Sequence, residues 1–410
     1  MTENTKVKSK INFLSIAVFI ATLIITTISV CSVIFPSLIV RVTSDIVDNT
    51  VNPLEPGIWS IPFFIVNLTI LVIAIINYKK KLPGLIQRSI KFILSFEVSR
   101  KLSWIIVLAL LAVCTVLNID KLAHDEAWDD FEGVRDAADS WTLDNGNGLI
   151  FGFKYFLLHS SVMIFNNIRI IPFMSSICLL VLTYLFTVEI SKKRFAGIIA
   201  MVILLQSNNF LTYDVSATYS SFWIMLYVLS LYLICKKWYF SHISFIYSVF
   251  SKGITAIFLP LTLFFIYRSE ITRKKKILVT IPYAIILLAF MVGAATSKLP
   301  AEIPHISIHY YDFWNGFTSL AFQLRFDGLV LVFLLPLVVA LFFVSRRGVS
   351  YVEPMLILIM GALLASPLLS GITDITLQPY RQLGLVVFFA MGSGLLFSRK
   401  SLDGSDNFPL

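Results

Sequence analysis

The sequence predicts an all-α polytopic membrane bundle of about twelve transmembrane helices, two of them in a short hairpin, with a long outer loop bearing surface helices. Three observations carry that expectation. Of 410 residues, 57% are hydrophobic and 14% charged, whereas soluble domains are about one quarter charged. Apolar runs recur along the whole chain, most of them close to the ~20 residues that span a bilayer core. The charges also sort by side, as described next.

Apolar spans are read at 11–40, 58–77, 103–119, 170–189, 195–211, 215–235, 239–250, 253–267, 277–294, 328–344, 354–370 and 381–397. With the N-terminus inside, the cytoplasmic segments hold 24 Lys or Arg against 7 Asp or Glu, and the external segments hold 8 against 17. The inverted orientation would put Lys79-Lys80-Lys81 and Arg273-Lys274-Lys275-Lys276 outside, against the positive-inside bias. A multi-pass cell-membrane protein with both termini cytoplasmic is therefore expected. The net charge of +9 reads as an orientation signal, and no nucleic-acid partner is expected.

Residues 1–101 read as an N-terminal appendage: two spans, then a basic segment at 78–101. Leu85, Ile86, Ile90, Ile93 and Leu94 recur there at helical spacing, which fits a helix lying on the inner leaflet. The first apolar run is longer than a signal-peptide core and lacks a small-residue cleavage site, so no cleavable signal is expected. Residues 102–400 read as the main transmembrane domain, with outer loops at 120–169 and 295–327, and 401–410 as a cytoplasmic tail. The runs 239–250 and 253–267 are too short to cross singly. They are expected to form a hairpin entering from the cytoplasm, with Lys252 at its outer tip. Cys31, Cys114, Cys178 and Cys235 lie in or beside apolar runs, without CxxC spacing, and read as small core residues.

The first outer loop holds the densest chemistry. Asp125, Glu126, Asp129, Asp130, Glu132, Asp136 and Asp139 fall within fifteen positions, and carboxylates so close repel unless water, cations or chemistry use them. Trp128, Phe131 and Trp141 among them point to ordered contact. Asp129, a helical turn from Asp125, is expected to share its face. After the turn Asn145-Gly146-Asn147-Gly148, the stretch 149–158 reads as an amphipathic helix on the outer surface. In the second outer loop, His305 and His309 suit extended structure better than a metal pair, and Tyr310, Tyr311 and Trp314 form an aromatic patch of the kind that stacks on sugar rings.

An acidic pair directly after a span, an outer loop with a surface helix, and Arg169-Ile170-Ile171-Pro172 opening the next span resemble the GT-C glycosyltransferases. The likeness is to the branch containing protein O-mannosyltransferases and the lipid A aminoarabinose transferase. Phe250-Ser251-Lys252-Gly253 ahead of Phe258-Leu259-Pro260-Leu261, and Gln378-Pro379-Tyr380-Arg381 near the end, are similar to that branch's Lys-Gly and Arg/Tyr elements. The resemblance covers roughly 103–397. The chain departs from the pattern where the family often carries His-Pro-Pro, in its additional N-terminal spans, and in following the last span with only a short tail.

The resemblance implies transfer of a sugar from a polyprenyl-phosphate donor to a lipid, glycan or protein acceptor on the outer face. On that reading Asp125 is the catalytic base with Glu126 as its partner, and Lys252 and Arg381 bind the donor phosphate. Asp129, Asp130 and Asp214 are further acidic contacts to acceptor or metal. Such chemistry fits the residue types. An acceptor hydroxyl needs a carboxylate where its proton departs, and a phosphate leaving group needs cations. Carboxylate oxygens also suit Mg2+ or Mn2+, although nothing in the sequence requires a metal. Two other classes fit a multi-span chain: a transporter or flippase for a lipid or small solute, and a non-catalytic subunit of a membrane complex. Transporters favour mid-span charges and repeated halves, which this sequence lacks.

Overall fold

Every regular element among the described residues is helical. The computed structural model describes residues 13–38, 52, 54–79, 81–142, 148–295, 310–370 and 379–398. In chain order the helices are α1 (Phe13–Ile34), α2 (Ser60–Tyr78), α3 (Gly84–Ser95), α4 (Arg100–Ala123), α5 (Phe131–Asp139), α6 (Gly148–Phe165), α7 (Ile170–Ser191), α8 (Arg194–Leu205) and α9 (Asn208–Tyr213). There follow α10 (Phe222–Lys236), α11 (Ser241–Ser251), α12 (Leu259–Arg268), α13 (Arg273–Ala295), α14 (Tyr310–Leu324), α15 (Gly328–Arg346), α16 (Val352–Ser370) and α17 (Leu383–Leu395). Short 3-10 turns sit at Trp238–Phe240, Gly253–Phe258 and Pro379–Gln382.

Among the described residues six helices, α1, α2, α4, α7, α15 and α16, are long and apolar enough to cross a membrane. Helices α2 and α4 leave most of their apolar surface uncovered, with Ile65, Leu68, Leu108 and Val116 each more than half exposed. Water would penalise such surface and hydrocarbon would not.

Two of the other apolar runs are shorter as helices than as sequence, because serine side chains turn the chain within them. The run 195–211 breaks where Ser207 accepts a hydrogen bond from the Phe210 amide at 3.1 Å and starts α9. The run 215–235 becomes helical only at Phe222, because Ser216 turns the preceding segment by accepting from Tyr219 N–H at 3.0 Å. The expected hairpin opens at its tip. Helix α11 packs mainly on α10, α12 on α13 and α16, and the 3-10 turn Gly253–Phe258 lies between them. Ser248 fixes the first leg by donating to the Trp223 carbonyl at 2.6 Å.

Within the N-terminal segment, the described helix α1 is seated against the main bundle. Helix α1 packs on α14, α15 and α16; Phe19 stacks on Phe342 at 4.0 Å, and Ser15 donates to Glu353, which also pairs with Arg268. By contrast, no residue of α3 is buried. The His305–His309 pair lies outside the described residues, as does the Asn145-Gly146-Asn147 part of the predicted turn.

Close helix approach depends on glycine at α14 and α16. A Cβ at Gly316 would lie 2.4 Å from the Pro367 Cα, and small residues are how helices without a hydrophobic drive between them come into contact. Gly316→Val is expected to cost about 1–3 kcal/mol by overpacking and to lower the melting temperature in detergent. Gly84→Ala, with nothing within 4 Å, should leave it unchanged.

Candidate functional site

The acidic stretch folds because its apolar residues recur at helical spacing. Phe131, Val134 and Ala138 are buried against Leu158, Ile168, Ala217 and Phe222, and His159 Nδ1 lies 2.9 Å from the Ala138 carbonyl. The acids of α5 are left facing solvent. Residues 125–129 are not helical, since apolar periodicity begins only at Phe131, so Asp125 and Asp129 do not share a helical face. Helix α6 is docked by Trp141, whose ring lies 5.2 Å from Phe156, and packs on α5, α7 and α11.

Between α5, α6, α11 and the 379–382 turn lies a cavity of about 310 Å3 lined by Asp130, Lys154, Tyr155, Tyr219, Lys252 and Tyr380, among others. Lys252 follows the last residue of α11, and its ammonium sits 3.9 Å over the Tyr380 ring. Tyr219 stacks on that ring at 4.2 Å and 15°, so sterics require the two to occupy opposite faces. The Tyr219 hydroxyl in turn donates to Asp130 Oδ2 at 3.1 Å. Lys154 reaches in from α6 and donates to the Thr218 carbonyl at 2.6 Å. Arg381 Nε donates to the Tyr380 hydroxyl at 3.2 Å.

Neither Lys154 nor Lys252 has a carboxylate within ion-pair distance among the described residues. Burial pushes the Lys154 ammonium down to about 8, with Glu126 and Asp130 opposing. Burial pushes Lys252 well below its ordinary value, and the nearby positive charges of Arg381 and Lys154 push it further. An anion entering this cavity would relieve both strains at once.

The remaining expected site residues fall elsewhere. Asp125 is 75% exposed and pairs with Arg135 at 3.6 Å; it lines a separate cavity of about 250 Å3 with His124, Asp139 and Asn167. Glu126 is turned inward, its side chain 1% exposed. It accepts from the Ser216 hydroxyl at 2.8 Å and from the Ala217 amide, and its carboxylate lies 3.6 Å from Arg169 Nε. Arg169 donates to the Lys121 and His124 carbonyls, so this pair pins the loop start to the segment before α10. Asp214 is buried, accepts from Asn118 at 2.6 Å and pairs with Lys121 at 3.3 Å; burial raises its carboxyl despite that cation. Glu126 and Asp214 thus brace the scaffold. Asp129 is exposed. In α14, Tyr311 is exposed and Trp314 packs on Phe313 and Phe317; neither lines the Lys252 cavity. Tyr310 opens that helix. Among the described residues no three His, Cys, Asp or Glu side chains gather as a metal-holding set.

Of the expected residues, Lys252, Arg381 and Asp130 come together. Lys154, Tyr219 and Tyr380 complete the set. Lys154 had one signal in the sequence, a lone cation interrupting an apolar helix. Tyr219 had none, because its partners Asp130 and Tyr380 lie far away along the chain. Comparison with protein-family models, with curated proteins and with solved structures finds no match for this chain.

The bracing acids and the surface acid should separate in stability. Glu126→Ala leaves Arg169 buried without its partner and is expected to cost about 3–5 kcal/mol. Asp125→Ala breaks an exposed pair and should cost less than about 1 kcal/mol. Thermal unfolding of the two variants in the same detergent checks the contrast.

Proposed function

We propose that the chain is a membrane glycosyltransferase of GT-C type, taking a sugar from a polyprenyl-phosphate donor at the Lys252 cavity. The observation that carries this reading is the pair of half-buried lysines, with Arg381 beside them, facing one carboxylate across an aromatic wall. A lipid phosphate matches the cations, a sugar ring matches the tyrosine faces, and an acceptor hydroxyl matches Asp130. In the reaction, the acceptor oxygen attacks the anomeric carbon, its proton passes to the Asp130 carboxylate, and the bond from that carbon to the phosphate oxygen breaks. The electron pair goes to the phosphate, where Lys252, Lys154 and Arg381 stabilise the added charge. The base role moves from Asp125 to Asp130, because Asp125 opens into a different cavity and is already paired with Arg135.

The orientation belongs to the same proposal. The shorter apolar helices join the six long ones in a polytopic bundle of about twelve crossings in the cell membrane. The termini are cytoplasmic, and the acidic loop and Lys252 cavity are extracytoplasmic. The charge distribution along the chain supports this. The acceptor is a lipid, glycan or protein.

In membranes supplied with labelled polyprenyl-phosphate sugar, Asp130→Asn and Lys252→Ala should each lose transfer by about 100-fold or more, while the protein still accumulates. Asp125→Asn should keep most of its activity. Full activity in Asp130→Asn removes the base assignment, and transport of the donor without covalent product favours a flippase. The cavity should also be pH-sensitive in one direction. Lys154 is cationic below about 8 and neutral above it, so affinity for polyprenyl phosphate should fall as pH rises through that value. Lys154→Arg, which stays charged, should lessen the fall; affinity that is flat across that range contradicts the assigned role.

A further inference from the structure

The opposite end of the bundle carries a second cationic cavity. Helix α7 runs from the acidic site to it, and its 22 residues at ~1.5 Å per residue separate the two by roughly 33 Å. This cavity measures about 540 Å3 and is lined by Glu97, Glu189, Lys192, Lys193 and Arg194, among others. Its cations outnumber its acids. Glu189 is shared between Lys192 at 2.7 Å and Lys236 at 2.5 Å. Glu97 accepts from the Val98 and Arg194 amides, each at 3.1 Å, and stands 3.9 Å from the Arg194 guanidinium. Lys193 is 3% exposed and donates to the Leu94 carbonyl, a neutral partner, and its burial lowers its ammonium from the ordinary value.

A separate observation meets it there. Helix α3 ends at Ser95 on the cavity wall, and Phe96 is seated edge-on against Phe195 at 5.1 Å. No residue of α3 is buried. Leu85 is 78% and Phe92 64% exposed, and Arg88 and Lys91 stand on the same helix. A polar-and-apolar helix left uncovered beside a cationic pocket matches a charged lipid surface, which supplies acyl chains for one and a phosphate for the other.

We propose that this cavity binds the phosphate headgroup of an anionic phospholipid, held chiefly by Arg194 and Lys192, while the apolar face of α3 lies among the acyl chains of the same leaflet. Arginine suits this role because its planar fork meets two phosphate oxygens together. The site is independent of the transfer reaction, so the two proposals stand or fall separately.

The test is lipid retention by the purified full-length protein, read by native mass spectrometry in detergent supplied with equal phosphatidylglycerol and phosphatidylcholine. Wild type should retain phosphatidylglycerol preferentially. Lys192→Gln and Arg194→Gln should each lower that preference by about fivefold, and raising sodium chloride should lower it in wild type too, a readout that needs no variant to fold. Millimolar inorganic phosphate should leave the lipid bound. Equal retention of the two lipids, a preference insensitive to salt and to both substitutions, or displacement by free phosphate would overturn the proposal. Donor-dependent transfer is expected to persist in Lys192→Gln, which separates this site from the Lys252 cavity.

Discussion

A cation withdrawn from water costs several kcal/mol unless another charge or dipole replaces its hydration. At Lys252 the replacement is an aromatic face: the ammonium rests 3.9 Å over Tyr380, whose other face is taken by Tyr219. Cation–π attraction offsets only part of such a cost, about 2 kcal/mol when desolvated. Lys154 beside it has the Thr218 carbonyl and, at 5.6 Å, the Tyr155 ring. Much of the acidic end is arranged to hold these groups in place. Helix α11 stops at Ser251 to release Lys252, and the 379–382 turn brings up Tyr380. Asn209 fastens that turn by donating to the Pro379 carbonyl at 2.9 Å. Helix α5, docked by its buried apolar face, holds Asp130, the residue before it, at the cavity lining.

The acids at this end of the bundle divide by burial. Glu126 and Asp214 are enclosed and satisfied by amides, hydroxyls and cations; removing either would leave a stranded partner. Asp130 alone among the cluster's seven lines the Lys252 cavity. Asp125, Asp129, Glu132, Asp136 and Asp139 face solvent, where mutual repulsion is weak. A dense acidic run therefore serves at least two physical ends, bracing and lining, that its composition does not distinguish.

Much of the fold was legible from apolar run length, because a bilayer-length run has few other stable outcomes. Helix ends were less legible. Ser207 and Ser216 end apolar runs through hydrogen bonds that run length does not encode. The place of α1 was missed because Thr22, Ser29 and Phe19 look like any span until α15 and α16 are beside them. In the site, Lys252 and Arg381 stood out as cations at span ends, and both reached the cavity wall or its rim. Position after a span favoured Asp125 over its neighbours, but one-residue alternation put Glu126 inward and Asp125 outward. Lys154 and Tyr219 meet their partners only through tertiary folding, with Lys154 touching Thr218 and Tyr219 touching Asp130 and Tyr380.

The most direct measurement is a density map of the protein with polyprenyl phosphate bound in a lipid environment. The phosphate should sit within hydrogen-bonding reach of the Lys252 and Lys154 ammonium groups, with the Asp130 carboxylate across the cavity. Phosphate density at the Asp125–Arg135 cavity instead, or a Lys252 ammonium still closed over Tyr380 with no anion beside it at saturating lipid, would contradict it.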